Sequence, residues 1–308
     1  MIPIRRAVRS AAPGLLLLAA AACDPGPPPA PEFRETRAWS YLVTQVSFGP
    51  RFPGHRGHAR QLDWLREQMR FAADTVILQP FTATGEGGKR LRWTNIVARF
   101  RPELEERILL IAHRDTRRRA DGAVEPGERH RPVPGANVNA SGVAVLVEMA
   151  QLFHQQPPPV GVDVLFADGD DQSDSAAFAG TRHFLASMPG YRPRYAVVLQ
   201  AVADYEPRFA MDPASAAGPA GRMWALARRL ELDSVFVAER GRPMPSQADV
   251  LSAAGIPTVV VRDGEYGPAN LRWHSIDDNP QYLKRETLGA VGRVLAATLY
   301  SEPPDPER

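Results

Sequence analysis

Histidines and carboxylates follow several apolar runs of this 308-residue chain. They are His113 and Asp115 after ILLIA, residues 168–171 (DGDD) after VDVLFA, Gln200 after AVVL, and His274 after Trp273. Sites in open α/β sheets form at the carboxyl ends of strands, and zinc takes histidine nitrogen and carboxylate oxygen. These residues together therefore predict a metal centre, although each one alone is more typical of a hydrogen-bonded structural residue.

The elements that carry these residues alternate along the chain. Strands are predicted near residues 75–80, 95–100, 107–113, 161–168, 196–201 and 257–261. Helices are predicted near residues 141–154, 175–186, 218–230 and 285–300, and two more precede the first strand. Runs such as ILLIA are apolar at every position, as in strands that helices cover on both faces. The pattern indicates a single α/β domain, residues 33–308, with a mostly parallel sheet.

The N-terminal residues have the composition of a targeting segment. Arginines precede an apolar run that ends in AAAC, which resembles the lipobox of bacterial lipoproteins, and Cys23 is the only cysteine. We expect residues 1–23 to be a signal peptide, Cys23 to be lipidated, and the proline-rich residues 24–32 to form a tether. The protein would then be exported and lipid-anchored in the bacterial cell envelope, on the periplasmic face of a membrane. A soluble secreted protein with a free thiol is the alternative.

The formal net charge of +2 and the scattered arginines argue against a nucleic-acid partner.

Successive motifs along nearly the whole predicted domain resemble glutaminyl-peptide cyclotransferases and the related zinc aminopeptidases. The motifs are FGPRFPGHRGH from Phe48, TNIVARF from Thr94, LLIAHRD from Leu109, PGANVNASGVAVLVEMA from Pro134, VDVLFADGDD from Val162, AGTRHFLA from Ala179, AAGIPTVVV from Ala253 and RWHSIDDNPQYL from Arg272. The resemblance implies a three-layer α/β/α sandwich with a central mixed, mainly parallel sheet. It also implies a zinc cofactor and peptides or protein N-termini as partners.

The resemblance further implies roles for individual residues. Asp171 and His274 stand where the family holds its catalytic zinc, and His113 stands at a ligand of the second zinc of the aminopeptidases. Asp170 stands where a glutamate shuttles protons, one methylene shorter than the family's side chain. Asp115 matches an aspartate of the family.

Several positions depart from the family's pattern. Val138 and Gln200 stand where the family has aspartate ligands, and Ser246, Gln247 and Ala248 replace an Asp-Asp-His or Ser-Asp-His segment. We expect the metal site to hold one zinc ion or none. The alternative is that Asn137, Asn139 or Asp168 replaces the missing ligand after a local shift and restores zinc binding.

Two functions remain open from the sequence. One is a zinc-dependent cyclotransferase or aminopeptidase that acts on peptide N-termini, with Asp170 as its catalytic residue. The other is a non-catalytic envelope protein that binds peptides or serves as a scaffold.

Overall fold

The computed structural model of the chain describes residues 30–85, 88–172 and 177–303. The predicted signal peptide, Cys23 and residues 24–29 of the predicted tether lie outside these ranges. Within them, no helix combines the length and the apolar character needed to cross a membrane.

A six-stranded sheet forms the centre of the domain. Its strands are β1 (Thr75–Thr84), β2 (Arg90–Phe100), β3 (Arg107–His113), β4 (Gly161–Ala167), β5 (Tyr195–Gln200) and β8 (Thr258–Arg262), and a separate two-stranded sheet consists of β6 (Phe209–Met211) and β7 (Phe236–Arg240). The order in the large sheet is β1-β2-β4-β3-β5-β8. The strands β4, β3, β5 and β8 are parallel, whereas β1 and β2 form an antiparallel extension.

Helices cover both faces of the large sheet. They are α1 (Glu35–Ser47), α2 (Arg56–Ala72), α3 (Gly142–Gln155), α4 (Ala179–Ser187), α5 (Ala217–Arg229), α6 (Gln247–Ala253) and α7 (Arg285–Tyr300). Alternate residues of β3 separate the two layers: Leu110 belongs to the core with α1, α2, α3, α5 and α7, whereas Leu109 and Ile111 belong to the core with α4 and α6. This arrangement confirms the predicted three-layer sandwich with a mixed, mainly parallel sheet.

Three details differ from the prediction. A π-helical turn over Ala136–Ser141 precedes α3, and β6, β7 and α6 are too short to produce a clear periodic pattern. The helix predicted from residue 175 begins at Ala179 in the described part of the chain, and residues 173–176 lie outside it. The carboxyl ends of β3, β4, β5 and β8 nevertheless meet at one edge of the sheet, where the predicted site residues follow them.

Candidate functional site

His113 ends β3 and is almost completely buried. Burial lowers the pKa of His113, and the ring bonds to the carbonyl of Asp115. The ring has two nitrogens, Nδ1 and Nε2, and the amide nitrogen of Asn139 lies 3.1 Å from Nδ1. The amide nitrogen of Gln200 lies 3.1 Å from this Nε2, and Nη1 of Arg262 donates to the amide oxygen of Gln200 at 3.4 Å. The side chains of Asn139 and Gln200 therefore occupy both ring nitrogens of His113, one of which a histidine ligand would offer to a metal.

Asp171, which follows β4, lies in the same buried centre. Nε of Arg117 donates to Oδ1 of Asp171 at 3.1 Å, and the amide nitrogen of Asn139 donates to Oδ2 at 2.9 Å. Nε2 of His274 is 3.1 Å from Oδ1 of Asp171. Burial opposes ionisation of Asp171, but the charges of His274 and Arg117 hold its pKa well below the usual range. Asp171 is therefore a carboxylate anion at neutral pH.

The loop after β8 brings His274 to this centre in an unusual backbone conformation. His274 has a φ of +52°, in the left-handed region that costs a residue with a side chain about 1 kcal/mol. The amide of Gly122 donates to the carbonyl of His274 at 3.1 Å, and a Cβ at Gly122 would lie 2.2 Å from the carbonyl oxygen of Trp273. The loop after β3 therefore packs directly on the segment that presents His274.

Val138 lies on the π-helical turn between β3 and α3 and is 1% exposed. Its side chain belongs to the main hydrophobic core. The amides of Asn137 and Val138 donate to Asp278 at 2.6 and 3.2 Å, and burial raises the pKa of Asp278 to about 6. The turn is therefore fixed by its backbone amides, and position 138 itself offers only hydrocarbon.

Asp170 points toward α4. Its Oδ1 accepts from the amide of Thr181 at 3.0 Å and its Oδ2 accepts from the hydroxyl of the same residue at 2.5 Å. Burial raises the pKa of Asp170 to about 6. Both oxygens are thus engaged by the first turn of α4, and a role as proton shuttle stays a prediction that would require the side chain to turn away from this helix.

Asp115 organises the loop after β4. Its Oδ1 accepts from the amide of Asp170 at 3.0 Å, and its Oδ2 accepts from the amide of Asp171 at 3.1 Å and the side chain of Gln172 at 2.9 Å. Burial, together with the surrounding carboxylates, raises its pKa well above the usual range. The role of Asp115 is to position the segment that carries Asp170 and Asp171.

Asp168 lies in a different cluster from Asp171. Its carboxylate accepts from Nη2 of Arg114 at 2.6 Å and from the amide of Thr94 at 2.7 Å, and Nε2 of His58 lies 2.9 Å away. Arg114 and Asp168 are completely buried. The cluster joins α2, β2, the end of β3 and the end of β4, so it stabilises the edge of the sheet on which the centre is built.

The donor atoms of the centre do not fit a zinc ion. Zinc in a catalytic site takes three protein ligands with free lone pairs, but N–H groups of Arg117 and Asn139 are directed at Asp171. The amide oxygen of Asn139 faces Gly135 instead, since a Cβ there would meet it at 2.4 Å. In the described part of the chain, no three His, Cys, Asp or Glu side chains form a group that could hold a metal.

The histidines and aspartates of the centre were predicted from the sequence, but their partners were not. Arg114 and Arg117 flank His113 and Asp115 in the stretch HRDTR, and Asp278 follows His274 in HSIDD. Charged residues this close to a predicted ligand were the available signal. Their roles depend on segments more than fifty residues apart, so the spacing along the chain does not reveal them.

Asp263 follows β8 at the same edge of the sheet. Its oxygens accept from the amides of Arg208 and Glu265, and burial, with the charges of Asp204 and Glu265, raises its pKa to about 6. The unfolded carboxyl ionises near pH 4. Between these values the folded chain binds more protons, so Asp263 makes the free energy of unfolding fall as the pH rises from about 4 to 6.

We expect Asp263→Asn to remove this contribution. Relative to the variant, the native chain should lose about 2–3 kcal/mol between pH 4 and 7. Urea unfolding of both proteins across this range measures the difference, and two parallel stability curves would contradict the assignment.

Comparison with known proteins identifies the class to which this fold and centre belong. Residues 95–299 match peptidase family M28. Because this match covers more than half of the chain, the protein belongs to that family. The curated protein YfbL of Escherichia coli is 33% identical over 106 residues, a segment that spans 34% of this chain and 30% of that relative.

Solved structures extend the similarity over most of the chain. A leucine aminopeptidase precursor from Bacteroides thetaiotaomicron is 29% identical with a TM-score of 0.85, over 89% of this chain and 99% of that one. A Zn-dependent exopeptidase from Parabacteroides distasonis (TM-score 0.84) and a Tannerella forsythia glutaminyl cyclase (TM-score 0.83) are each 28% identical over 89% of this chain and 100% of theirs. The resemblance predicted from the motifs is confirmed.

Proposed function

We propose that this protein is a non-catalytic, zinc-free member of family M28 that binds peptides in the bacterial cell envelope. The observation that carries the proposal is the contact of Arg117 and Asn139 with the two oxygens of Asp171. These donors satisfy the anion with protein N–H groups. A divalent cation would have to displace a guanidinium from a buried carboxylate, and separating such a pair costs several kcal/mol.

Two further features support this proposal. The side chain of Val138 has no lone pair, and the amide nitrogen of Gln200, which replaces an aspartate ligand of the family, lies 3.1 Å from Nε2 of His113. With Arg262 behind it, Gln200 belongs to a chain of hydrogen bonds that needs no cation to be stable. The peptide as ligand is supported by the solved relatives, whose names are those of an aminopeptidase, an exopeptidase and a glutaminyl cyclase.

We further propose that the protein is exported and anchored by lipid at Cys23 on the periplasmic face of a membrane. The apolar run before Cys23 and the three alanines that lead up to it support this location.

The second candidate function is the zinc-dependent enzyme, and one observation favours it. Nε2 of His274 is buried, makes no hydrogen bond and lies 3.1 Å from Asp171. A buried ring nitrogen held against a carboxylate by a left-handed backbone is compatible with a metal ligand. A cyclotransferase or aminopeptidase built on Asp171 and His274 would then bind its metal with only two protein ligands.

Metal analysis of the purified mature protein separates these functions. We expect far less than one zinc ion per chain after dialysis against zinc-containing buffer, because Asp171 is already neutralised by Arg117. The same preparation should release no ammonia from a glutaminyl peptide and no amino acid from an aminopeptidase substrate. One firmly held zinc ion together with either activity would contradict the proposal and support the enzyme.

A further inference from the structure

An open groove lies between the C-terminal parts of α5 and α7, and we call it the α5–α7 groove. It has a volume of about 680 Å³. Leu226, Leu230, Ala296 and Tyr300 supply most of its apolar lining, Arg229 and Arg293 line it as well, and residues 30–33 form one wall. The chain therefore enters the described domain along this groove.

One end of the α5–α7 groove, at Tyr300, lies at the amino edge of the sheet, opposite the polar centre. The hydroxyl of Tyr195, the first residue of β5, donates to Glu302 just after α7 at 2.7 Å. The hydroxyl of Tyr300 donates to the carbonyl of Gln156, which follows α3. Asp171 and His274 instead follow the carboxyl ends of β4 and β8. The Tyr300 end of the groove and the centre are therefore at opposite edges of the sheet.

The chain between Cys23 and the groove is short. Cys23 is seven residues before Ala30, which itself lines the groove. Seven residues span at most about 25 Å even when fully extended. If Cys23 carries the lipid, as the proposed location requires, the amino edge of the sheet is held within this distance of the bilayer surface.

The charges of the α5–α7 groove suit that surface. Arg229 and Arg293 form no ion pair among the described residues, and Glu32 is the one acidic residue of the lining. Leu230, which follows Arg229 in the lining, is 37% exposed. Unpaired guanidinium groups beside an exposed apolar side chain suit an anionic membrane interface.

We infer that the α5–α7 groove docks on an anionic bilayer surface, with Arg229 and Arg293 on lipid phosphates and Leu230 at the boundary with the acyl chains. This inference rests on the lipid anchor of the proposed function and goes beyond it. Docking at the amino edge turns the polar centre away from the membrane. A peptide in the periplasm can then reach the centre.

The test uses the full lipidated protein with the substitution Leu230→Cys. Because the thiol of Cys23 is acylated and does not react, a single fluorophore can be attached at residue 230. The protein is placed in phosphatidylcholine vesicles with or without phosphatidylglycerol, and quenching by nitroxide-labelled lipids is measured. We expect strong quenching at residue 230 only when phosphatidylglycerol is present. The matched control, Arg240→Cys, lies beside the carboxyl end of β8 and should be quenched weakly in both cases.

A second pair of variants tests the charges, with the probe at residue 230. Each arginine near an anionic surface contributes about 1 kcal/mol, so Arg229→Gln with Arg293→Gln should lower the ratio of docked to undocked protein about thirtyfold. Arg240→Gln with Arg242→Gln removes two charges at the other edge and should leave the ratio unchanged.

Several outcomes overturn the docking. Equal quenching at residues 230 and 240, or no dependence on Arg229 and Arg293, shows that the groove does not face the lipid. If the fluorophore at residue 230 is shielded from solvent before vesicles are added, the chain's own tether fills the groove. If this shielding grows with protein concentration, a second copy of the chain fills it. Mass spectrometry of the mature N-terminus is read separately: a chain without acyl groups refutes the anchor, whereas failed docking of an acylated chain refutes this inference alone.

Discussion

In the Val138→Asp variant, we expect zinc to bind at least about 100-fold more tightly than in the native chain. Even the residues that only orient metal ligands change affinity by about 10–100-fold, and a new ligand should do more. Position 138 is next to Asn139, which already bonds to Asp171, and His274 lies 3.1 Å from the same carboxylate. An aspartate at position 138 would add a second anion and the third protein ligand.

Without zinc, Val138→Asp should be strongly destabilised. Val138 is 1% exposed within the core, and an unpaired carboxylate there is expected to cost about 3–5 kcal/mol. Saturating zinc should restore much of this loss, because only the folded chain assembles the ligands. Thermal unfolding with and without zinc, together with calorimetric titration, measures both effects.

Val138→Asn is the matched control for this variant. Its side chain has nearly the same shape as aspartate but carries no charge, so it should be destabilised and yet respond little to zinc. If the two variants respond to zinc equally, residue 138 does not occupy the ligand position that the motif PGANVNASG predicts.

The sequence was sufficient to predict the sheet and the edge at which the centre lies. Fully apolar runs such as β3 have no other stable location than between two helical layers, and the polar residue that ends each run must then lie at the carboxyl edge. His113, Asp171, Gln200 and His274 do converge there. These predictions depend on local pattern and chain order, which the sequence contains directly.

The orientation of the side chains could not be predicted in the same way. Residues 168–171 contain three aspartates within four positions, and the structure gives each a different set of partners. Asp168 bonds to Arg114, Asp170 to Thr181, and Asp171 to Arg117 and Asn139. Those partners come from separate segments of the chain, so the division of one acidic motif among three sets of partners is decided by tertiary contacts.

Arg114→Met should have the other large effect, a loss of about 3–5 kcal/mol in the free energy of unfolding. Arg114 and Asp168 are both completely buried, and their nitrogen and oxygen are 2.6 Å apart. Burial disfavours the charged form of Asp168, but Arg114 and His58 hold its pKa below the usual value. Removing the guanidinium leaves a buried carboxylate with too few partners, which is the costly way to break such a pair.

Arg99→Met is the matched control, because its partner Asp163 keeps two bonds from Arg107 and one from the hydroxyl of Tyr191. Arg99 is also partly exposed, so we expect this variant to lose about 1 kcal/mol or less in urea unfolding. The double variant Arg114→Met with Asp168→Leu removes both charges and should be more stable than Arg114→Met alone. The losses of Arg114→Met and Asp168→Leu are also measured separately. If these two losses simply add up to the loss of the double variant, Arg114 acts through packing. The ion pair is then not what stabilises the carboxyl edge of the sheet.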